Sequence, residues 1–372
     1  MGVRAGLPSG RGRGRAPPRP GPRRGLDHHA GRDRRPLPRA GRVVTPPRIA
    51  LIATGGTIDS VGTSRLDLAW YTENRERLGD GELLTSIPEL REVAEVEQVP
   101  FRRVPSYALT SGDWLDLART VQGLLDGRFD GVVITHGTNT LEETAFFLQL
   151  TVRSDKPVVL AGAMRPASAL GADGPLNLLR GVQVAAAPQA RGNGVLVVLN
   201  DTIHAARDVT KTSTFRVHTF ASPDTGPLGV ADADGRVVLR HRPAEAGKAE
   251  FDVAGLTELP RVDVVVSYVG ADGALIDAAV AAGARGIVSA GTGAGRPTAA
   301  EDEALDRAVA AGVVVCQSSR VGSGRVVRSP GLTRRGLVAA DDLQPWKAKV
   351  LLALGLTRTD DPDRLQELFD QV

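Results

Sequence analysis

Two threonines, Thr57 and Thr138, have the sequence context of residues that carry out chemistry. Each follows an apolar run and a short turn that contains glycine, and the runs at residues 49–53 and 132–134 are typical of buried strands. Open parallel sheets bind their ligands at the carboxyl ends of such strands. A threonine hydroxyl is a weak nucleophile at neutral pH and needs a base or a polarising partner. The pattern therefore predicts that both hydroxyls enter one cleft, each beside such a partner.

Four residues are candidates to act beside these hydroxyls. Lys211 lies in a polar loop after another apolar run. Partial desolvation there would lower its pKa and make it a base toward Thr138, whereas a solvated surface lysine has the same sequence context. Tyr71 and Tyr107 fall in or beside loops at the predicted edge of the sheet. Ser106 follows a predicted strand and can offer a hydroxyl and an amide to a carboxylate, although turn serines share this pattern.

Other polar residues near these loops have simpler structural interpretations. Thr140 and Glu143 have the spacing of a capping box at the start of an amphipathic helix. Asp173 precedes a predicted helix, and we expect it to be the N-cap residue. His136 ends a predicted strand, and we expect a hydrogen-bonded structural residue rather than an acid or base.

The sequence predicts neither a metal site nor a cofactor. The six histidines lack metal-ligand spacing. The Gly55-Gly56 turn lacks the Gly-Lys-Ser/Thr of a phosphate-binding loop and the spaced glycines of a dinucleotide turn. The single cysteine, Cys316, excludes an internal disulfide and lies in an apolar run, so we expect it to pack in the core.

The charge distribution separates the first 48 residues from the rest. They contain 13 arginines and two acidic residues, a net charge of +11, whereas the remaining residues sum to −8. Residues 1–47 are rich in Arg, Pro and Gly with little apolar periodicity, which predicts a disordered tail. A nucleic-acid-binding arm, a solvated tail and an upstream extension of the reading frame all remain open for it. We expect the folded part to bind neither nucleic acid nor membrane, and the absence of an apolar leader segment favours a cytoplasmic location.

Strands alternate with helices from residue 48 onward, including a helix near residues 83–93 and a strand over residues 96–104. This alternation predicts an α/β protein of two domains. The larger domain, residues 48–239, is expected to hold a mostly parallel sheet with flanking helices, closed by a hairpin around the sequence DADG. Residues 240–259 are poor in bulky apolar side chains and are predicted to be a linker. Residues 260–372 are expected to form a smaller C-terminal α/β domain.

Several motifs occur together in an order that is more specific than any one of them. They are ATGGTI (53–58), ITHGTNTLEETA (134–145), KPVVLAGAMRP (156–166), ADGPLN (172–177) and VLVVLND followed by ARDVTKT (195–212). In this respect the chain resembles bacterial-type L-asparaginases. The resemblance implies an amidohydrolase that converts L-asparagine to L-aspartate and ammonia through a threonine acyl-enzyme, without a cofactor. It also implies a homotetramer whose active sites lie between the N-terminal domain of one subunit and the C-terminal domain of another.

The resemblance also implies a role for each matching residue. Thr57 would be the nucleophile and Tyr71 the tyrosine that activates it. Thr138 and Lys211 would be the second threonine and its lysine, which assist proton transfer or activate water. Ser106 would hold the α-carboxylate of the substrate. The backbone carbonyl of Ala163 and amides near Thr138 would lie close to the scissile amide.

Two residues depart from the family pattern. Asn139 stands where the family has an aspartate that would pair with the α-ammonium group of the substrate. Losing that charge-assisted bond predicts substrate binding weaker by about 10- to 100-fold, and it should also lower the pKa of Lys211. Tyr107 follows Ser106 where some members have a glutamine that contacts the substrate, which leaves the choice between asparagine and glutamine open.

Asn139 therefore leaves other functions open beside hydrolysis of L-asparagine. The chain would hydrolyse a different small amide that lacks the α-ammonium group, or it would bind small amides or amino acids without catalysis. An amide donor for tRNA-dependent amidation is a further alternative, although no added RNA-recognition domain is evident.

Overall fold

A mixed sheet occupies the N-terminal half of the chain. The computed structural model describes Gly2, residues 45–243 and residues 251–372. Most of the predicted disordered tail, and residues 244–250 of the predicted linker, thus lie outside the described residues. The strands of this half are β1 Arg48–Ala53, β2 Glu95–Val99, β3 Gly131–Thr135, β4 Val158–Ala161, β5 Val195–Leu199, β6 Thr202–Ala205, β7 Thr210–Lys211, β8 Phe220–Ala221, β9 Gly229–Ala231 and β10 Val237–Leu239.

Eight of these described strands form one sheet in the order β10-β9-β6-β5-β4-β3-β1-β2. The pairs from β2 through β5 are parallel, and the edge formed by β6, β9 and β10 is antiparallel. The predicted mostly parallel sheet is confirmed, and β9 and β10 form the predicted hairpin. In addition, β7 and β8 pair as a separate two-stranded ribbon.

Helices cover both faces of this sheet. They are α1 Tyr71–Asn74, α2 Glu82–Thr85, α3 Ser111–Asp126, α4 Leu141–Thr151 and α5 Gly174–Ala186. Because successive strand residues point to opposite faces, Ile52 and Ile134 pack in the cluster with α3 and α4. Leu51 and Val133 pack in the cluster with α5 on the other face. Burial on both faces explains why these strands are continuous apolar runs in the sequence.

The C-terminal half forms a second, smaller sheet. Its described strands, β11 Val262–Val266, β12 Gly286–Gly291, β13 Val314–Ser319 and β14 Val338–Ala339, pair in chain order and in parallel. The helices of this half are α6 Ala274–Ala281, α7 Ala299–Ala310, α8 Pro330–Arg334, α9 Pro345–Gly355 and α10 Pro362–Gln371. The predicted larger and smaller α/β sheets are thus both present.

One apolar cluster connects the two halves. Helix α9 contributes Leu351 and Leu354 to the same buried cluster as Phe146 and Phe147 of α4. Lys347, also on α9, is buried among these residues and interacts with the loop after β6. The C-terminal half is therefore packed directly against the elements that carry the candidate site.

The segment between β1 and β3 differs most from the sequence prediction. A strand was expected over residues 96–104, but β2 ends at Val99, one residue before a proline. The helix expected near residues 83–93 is instead the short α2 followed by a 3₁₀ helix, Pro88–Glu92. Proline at the start of that turn cannot donate the hydrogen bond that would continue α2. Neither α8 nor β14 was predicted, because both are too short to show a period.

Candidate active site

The turns after β1 and β3 meet at two glycines. A Cβ atom added to Gly56 would lie only 2.5 Å from Cα of Gly137, so only glycine lets the two backbones approach this closely. Gly56 also has a φ of 113°, a conformation that other residues rarely adopt. The next residue in each turn is one of the two threonines, Thr57 and Thr138, and both line a single cavity of about 1110 Å³. The structure thus brings these two hydroxyl-bearing residues together.

Thr57 is paired with a tyrosine. Its Oγ1 lies 2.9 Å from the hydroxyl of Tyr71, the first residue of α1, and either atom can be the donor. Burial raises the pKa of Tyr71; the hydrogen bond with Thr57 opposes this shift, and the carboxylates of Asp173 and Asp67 add to it. At neutral pH the tyrosine is therefore a phenol and not a phenolate.

Thr138 is paired with a lysine. The Nζ of Lys211 donates to Oγ1 of Thr138 at 2.9 Å and to Oδ1 of Asn139 at 3.4 Å. The backbone amide of Lys211 donates to Oε2 of Glu142, which fixes β7 against the start of α4. Burial lowers the pKa of Lys211, and the carboxylate of Glu142 opposes the shift. Desolvation thus brings this side chain closer to a neutral amine, in the predicted direction.

The segment that contains Ser106 and Tyr107 forms another wall of the cavity. Ser106 is buried, and a Cβ atom added to Gly137 would lie 2.7 Å from its Oγ. The backbone oxygen of Ser106 accepts a hydrogen bond from Oγ1 of Thr140. The expected capping box of Thr140 with Glu143 is therefore wrong, because the Thr140 hydroxyl bonds to a neighbouring loop. Tyr107 lines the cavity but is 69% exposed.

Ala163 and Asp173 are arranged differently from the expectations for them. Ala163 is fully buried and does not line the cavity, whereas the following residue, Met164, does. The carboxylate of Asp173 accepts hydrogen bonds from the backbone amides of Met164 and Arg165 and from Nδ2 of Asn177. Asp173 is the N-cap residue of α5, as expected, but its side chain caps no amide of that helix. These three donors hold the turn after β4 beneath the cavity instead.

His136 has the structural role expected from its position. It is fully buried, and its Nδ1 forms a hydrogen bond with the backbone oxygen of Gly137. Burial lowers the pKa of His136 to about 4, and the bond with Gly137 opposes that shift. The neutral ring therefore shapes the turn before Thr138.

Glu143, Trp346 and Arg77 also line the cavity, although the sequence pattern did not point to a place for them there. Burial raises the pKa of Glu143 to about 7, with Lys349 opposing the shift and Glu142 adding to it. Glu143 is therefore close to half protonated at neutral pH. Its position in the first turn of α4, directly after the Thr138 turn, was the available sequence signal.

Lys347 supports the loop that carries Lys211. Its buried Nζ donates to the backbone oxygens of Ala206, Arg207 and Val209 at 3.0, 2.6 and 2.6 Å. Burial lowers the pKa of Lys347 to about 8, so it remains protonated at neutral pH. The sequence alone did not mark Lys347 for this role, because Lys349 lies in the same apolar stretch of α9. A buried cation requires several hydrogen-bond acceptors, and only the structure shows where they are.

Among Gly2, residues 45–243 and residues 251–372, no group of three or more His, Cys, Asp or Glu side chains is placed to hold a metal ion. Over the same residues, no helix combines the length and apolar character required to cross a bilayer.

Comparison with known proteins identifies the family. Residues 48–245 match the family model "Asparaginase, N-terminal", and residues 261–369 match "Glutaminase/Asparaginase C-terminal domain". L-asparaginase 2 of Bacillus subtilis is 42% identical over 330 residues, covering 87% of this chain and 86% of that protein. A probable periplasmic L-asparaginase of Haemophilus influenzae is 42% identical over 328 residues, covering 87% of this chain and 93% of that protein.

A solved structure leads to the same family. The probable cytoplasmic L-asparaginase of Campylobacter jejuni has a TM-score of 0.84 and 40% sequence identity, and the match covers 88% of this chain and all of that one. The two family-model matches together include both α/β sheets. This chain therefore belongs to the asparaginase family.

Proposed function

We propose that this protein hydrolyses L-asparagine to L-aspartate and ammonia. Family membership supports amide hydrolysis, and one observation about the cavity carries the proposal for this chain. Two threonine hydroxyls line the same cavity, and each lies 2.9 Å from a group that can exchange a proton with it. Such pairing is what a weak hydroxyl nucleophile needs in order to attack an amide.

In the first step, Oγ1 of Thr57 attacks the side-chain carbonyl carbon of the substrate. The new C–O bond forms as the C–N bond breaks, and the hydroxyl proton passes by way of Tyr71 to the departing nitrogen, which leaves as ammonia. The phenol is suited to this relay because it accepts one proton while it donates another. The product of this step is an ester between Thr57 and the β-carboxyl group of aspartate.

In the second step, Lys211 and Thr138 activate a water molecule. The neutral amine of Lys211 takes a proton from water through the Thr138 hydroxyl, and the resulting hydroxide attacks the ester. Cleavage of the ester releases aspartate, and a proton returns to Oγ1 of Thr57. The lowered pKa of Lys211 supports this role, because a base works best when its pKa is near the operating pH.

The remaining candidate residues would bind the substrate. Ser106 would hold the α-carboxylate, Asn139 would face the α-ammonium group as a neutral partner, and Tyr107 would contact the substrate from the exposed side of the cavity. Ala163 would act only through its backbone carbonyl next to Met164. Replacing the carboxylate at position 139 with an amide is expected to weaken binding of an amino acid by about 10- to 100-fold.

We also propose the wider organisation of the protein. It consists of a catalytic domain at residues 48–239, a linker at 240–259 and a second domain at 260–372, and it assembles as a cytoplasmic homotetramer. The separate family-model matches to residues 48–245 and 261–369 support the division. Relatives described as cytoplasmic and as periplasmic both exist, so cell fractionation tests the location. Sedimentation velocity tests the assembly.

The central experiment measures ammonia release from L-asparagine, L-glutamine and simple amides by the full chain and by Asn139→Asp. We expect hydrolysis of L-asparagine, and a KM about 10- to 100-fold lower after the substitution. Simple amides without an ammonium group serve as the control, because position 139 should not affect them. If both forms release no ammonia from any amide yet bind amino acids, the protein is a binder and the proposal fails.

A further inference from the structure

Arg77 is an unpaired cation in the wall of the cavity. Its guanidinium atom Nη1 is buried, and among the residues that the structure describes it has no hydrogen-bond partner and no ion pair. Proteins leave few buried polar atoms unpaired, because each one loses its bonds to water without replacement. By contrast, the nearby Arg103 pairs with Asp59 and Asp80. Arg77 also lines the cavity, so its guanidinium group has unused donors beside the space that a ligand would occupy.

The guanidinium group lies against the turn that leads to Thr57. A Cβ atom added to Gly55 would lie 2.6 Å from Nη1 of Arg77 and 3.3 Å from the backbone oxygen of Val104. Gly55, with a φ of 97°, thus leaves room for the cation between two backbone segments. One segment continues to Thr57, and the other continues to Ser106. Arg77 therefore lies beside the backbone segments that lead to Thr57 and to Ser106.

The backbone of Arg77 is held in place independently of its side chain. Arg77 pairs with Ser60 in an isolated antiparallel bridge. The adjacent residues are fixed as well, since the amide of Leu78 donates to the backbone oxygen of Asp59 and the backbone oxygen of Glu76 accepts from Val61. A substitution of the Arg77 side chain should therefore leave this backbone intact.

The charges around the cavity favour a carboxylate as the missing partner. Glu76 is exposed and forms no ion pair with Arg77. Asn139, on the other threonine turn, is neutral, so it does not compete as an anion. A guanidinium group offers planar, paired donors that match the two oxygens of a carboxylate.

We propose that Arg77 binds the α-carboxylate of the substrate together with Ser106, and that this pair selects carboxamides that also carry a carboxylate. The proposal rests on the proposed hydrolysis and names a substrate determinant for the same site. Since the cation holds the substrate and does not touch the reacting carbonyl, its loss should act mainly on KM.

Three related substrates separate this role from general damage to the site. L-asparagine has both α-substituents, succinamic acid lacks the α-amino group, and β-alaninamide lacks the α-carboxylate. For Arg77→Gln we expect kcat/KM to fall by about 10- to 100-fold for the first two, through KM. β-Alaninamide should be hydrolysed as by the unsubstituted protein. An equal loss on all three substrates, or no loss on any, overturns the proposal.

Two further variants control for charge and folding. Arg91→Gln removes an exposed arginine that does not line the cavity and should leave all three substrates unaffected. Arg77→Lys keeps the positive charge but not the paired donors, so it should recover part of the lost KM effect. If Arg91→Gln reproduces the selective loss, a general effect of positive charge replaces the proposed contact.

Direct binding distinguishes failure of this inference from failure of the proposed hydrolysis. If the unsubstituted protein releases no ammonia from any amide, calorimetric titration with L-aspartate still tests Arg77. An affinity for L-aspartate about tenfold or more lower in Arg77→Gln keeps the inference while the hydrolysis proposal fails. Equal affinities in the two proteins, or no binding by the unsubstituted protein, overturn the inference.

Discussion

The two threonine turns are similar in sequence but are supported in different ways. Thr57 is paired with Tyr71, which is only 14 residues away and begins a four-residue helix with no buried residue. Thr138 is paired with Lys211, which is 73 residues away on the β7–β8 ribbon. Buried Glu142 accepts the backbone amide of Lys211, and buried Lys347 donates to Val209 in the loop that precedes this ribbon. The first pair is local and lightly packed, whereas the second is tied to the protein core. Segments with few buried contacts open most readily, so the Tyr71 segment is the part suited to admit substrate.

Burial affects the two partners in opposite directions with one common result. It raises the pKa of Tyr71 and lowers the pKa of Lys211, because a low-dielectric environment disfavours the charged form of each. Both partners are therefore shifted toward their neutral forms. A neutral phenol is a poor base, but a neutral amine is a good one. In the proposed mechanism, the tyrosine is therefore suited to relay a proton and the lysine is suited to remove one.

The largest expected effect tests which threonine is the nucleophile. Thr57→Val should lower kcat for L-asparagine by on the order of 10⁴-fold, because it removes the hydroxyl that forms the proposed covalent intermediate. Mass spectrometry of the quenched reaction should then show no acyl-enzyme. Thr85→Val, at an exposed threonine that does not line the cavity, is the matched control and should keep its rate. An acyl-enzyme that persists in Thr57→Val would move the nucleophile to Thr138.

The second-largest expected effect tests whether Lys211 is the general base. Lys211→Met should lower kcat by on the order of 10³-fold, the range of general base catalysis. In the unsubstituted protein, kcat should rise with pH as Lys211 loses its proton, because the proposed mechanism uses this base in hydrolysis of the acyl-enzyme. The rise should begin below the usual lysine range, because burial lowers this pKa.

The pH dependence supplies the control for that experiment. Lys211→Met should lose the rising limb of the pH profile. Lys156→Met should keep it, since Lys156 does not line the cavity and its Nζ donates to the backbone oxygen of Leu125 in α3. If the limb survives in Lys211→Met, another group is the base.

A smaller effect is expected from the tyrosine. Tyr71→Phe removes the relay but leaves the base, so kcat should fall by about 100-fold. The rising limb of the pH profile should be unchanged, because the raised pKa keeps Tyr71 a phenol throughout it. A shift of that limb in Tyr71→Phe would mean that the two pairs titrate together and that the contrast between them is wrong.

The smallest expected effect on the rate comes from the support behind Lys211. Lys347→Met leaves three backbone oxygens without their donor, which should lower the free energy of unfolding by about 3 kcal/mol. We expect kcat to fall by only about tenfold in the fraction that stays folded, because Lys211 keeps its chemistry but loses precise placement. Chemical denaturation and steady-state kinetics measure the two effects. A Lys347→Met protein of unchanged stability would show that this lysine does not support the loop.

The sequence by itself determined the alternation of strands and helices, because apolar period and glycine turns are local properties. It also placed Thr57 and Thr138 at strand ends, and adjacent parallel strands necessarily bring such ends to one edge. Family membership followed from the order of the motifs. The structure and the comparisons confirm the fold and the family.

The choice of partner for each polar side chain was decided only by the tertiary structure. Thr140 and Asp173 have capping sequences, yet their side chains bond to loops that are distant in sequence. Lys347 and Arg77 gave no local sign of their surroundings, since an α-helix or a turn leaves open which other segment will cover it. A hydrogen bond depends on distance in space, and a local pattern does not contain the contacts made when separate segments pack.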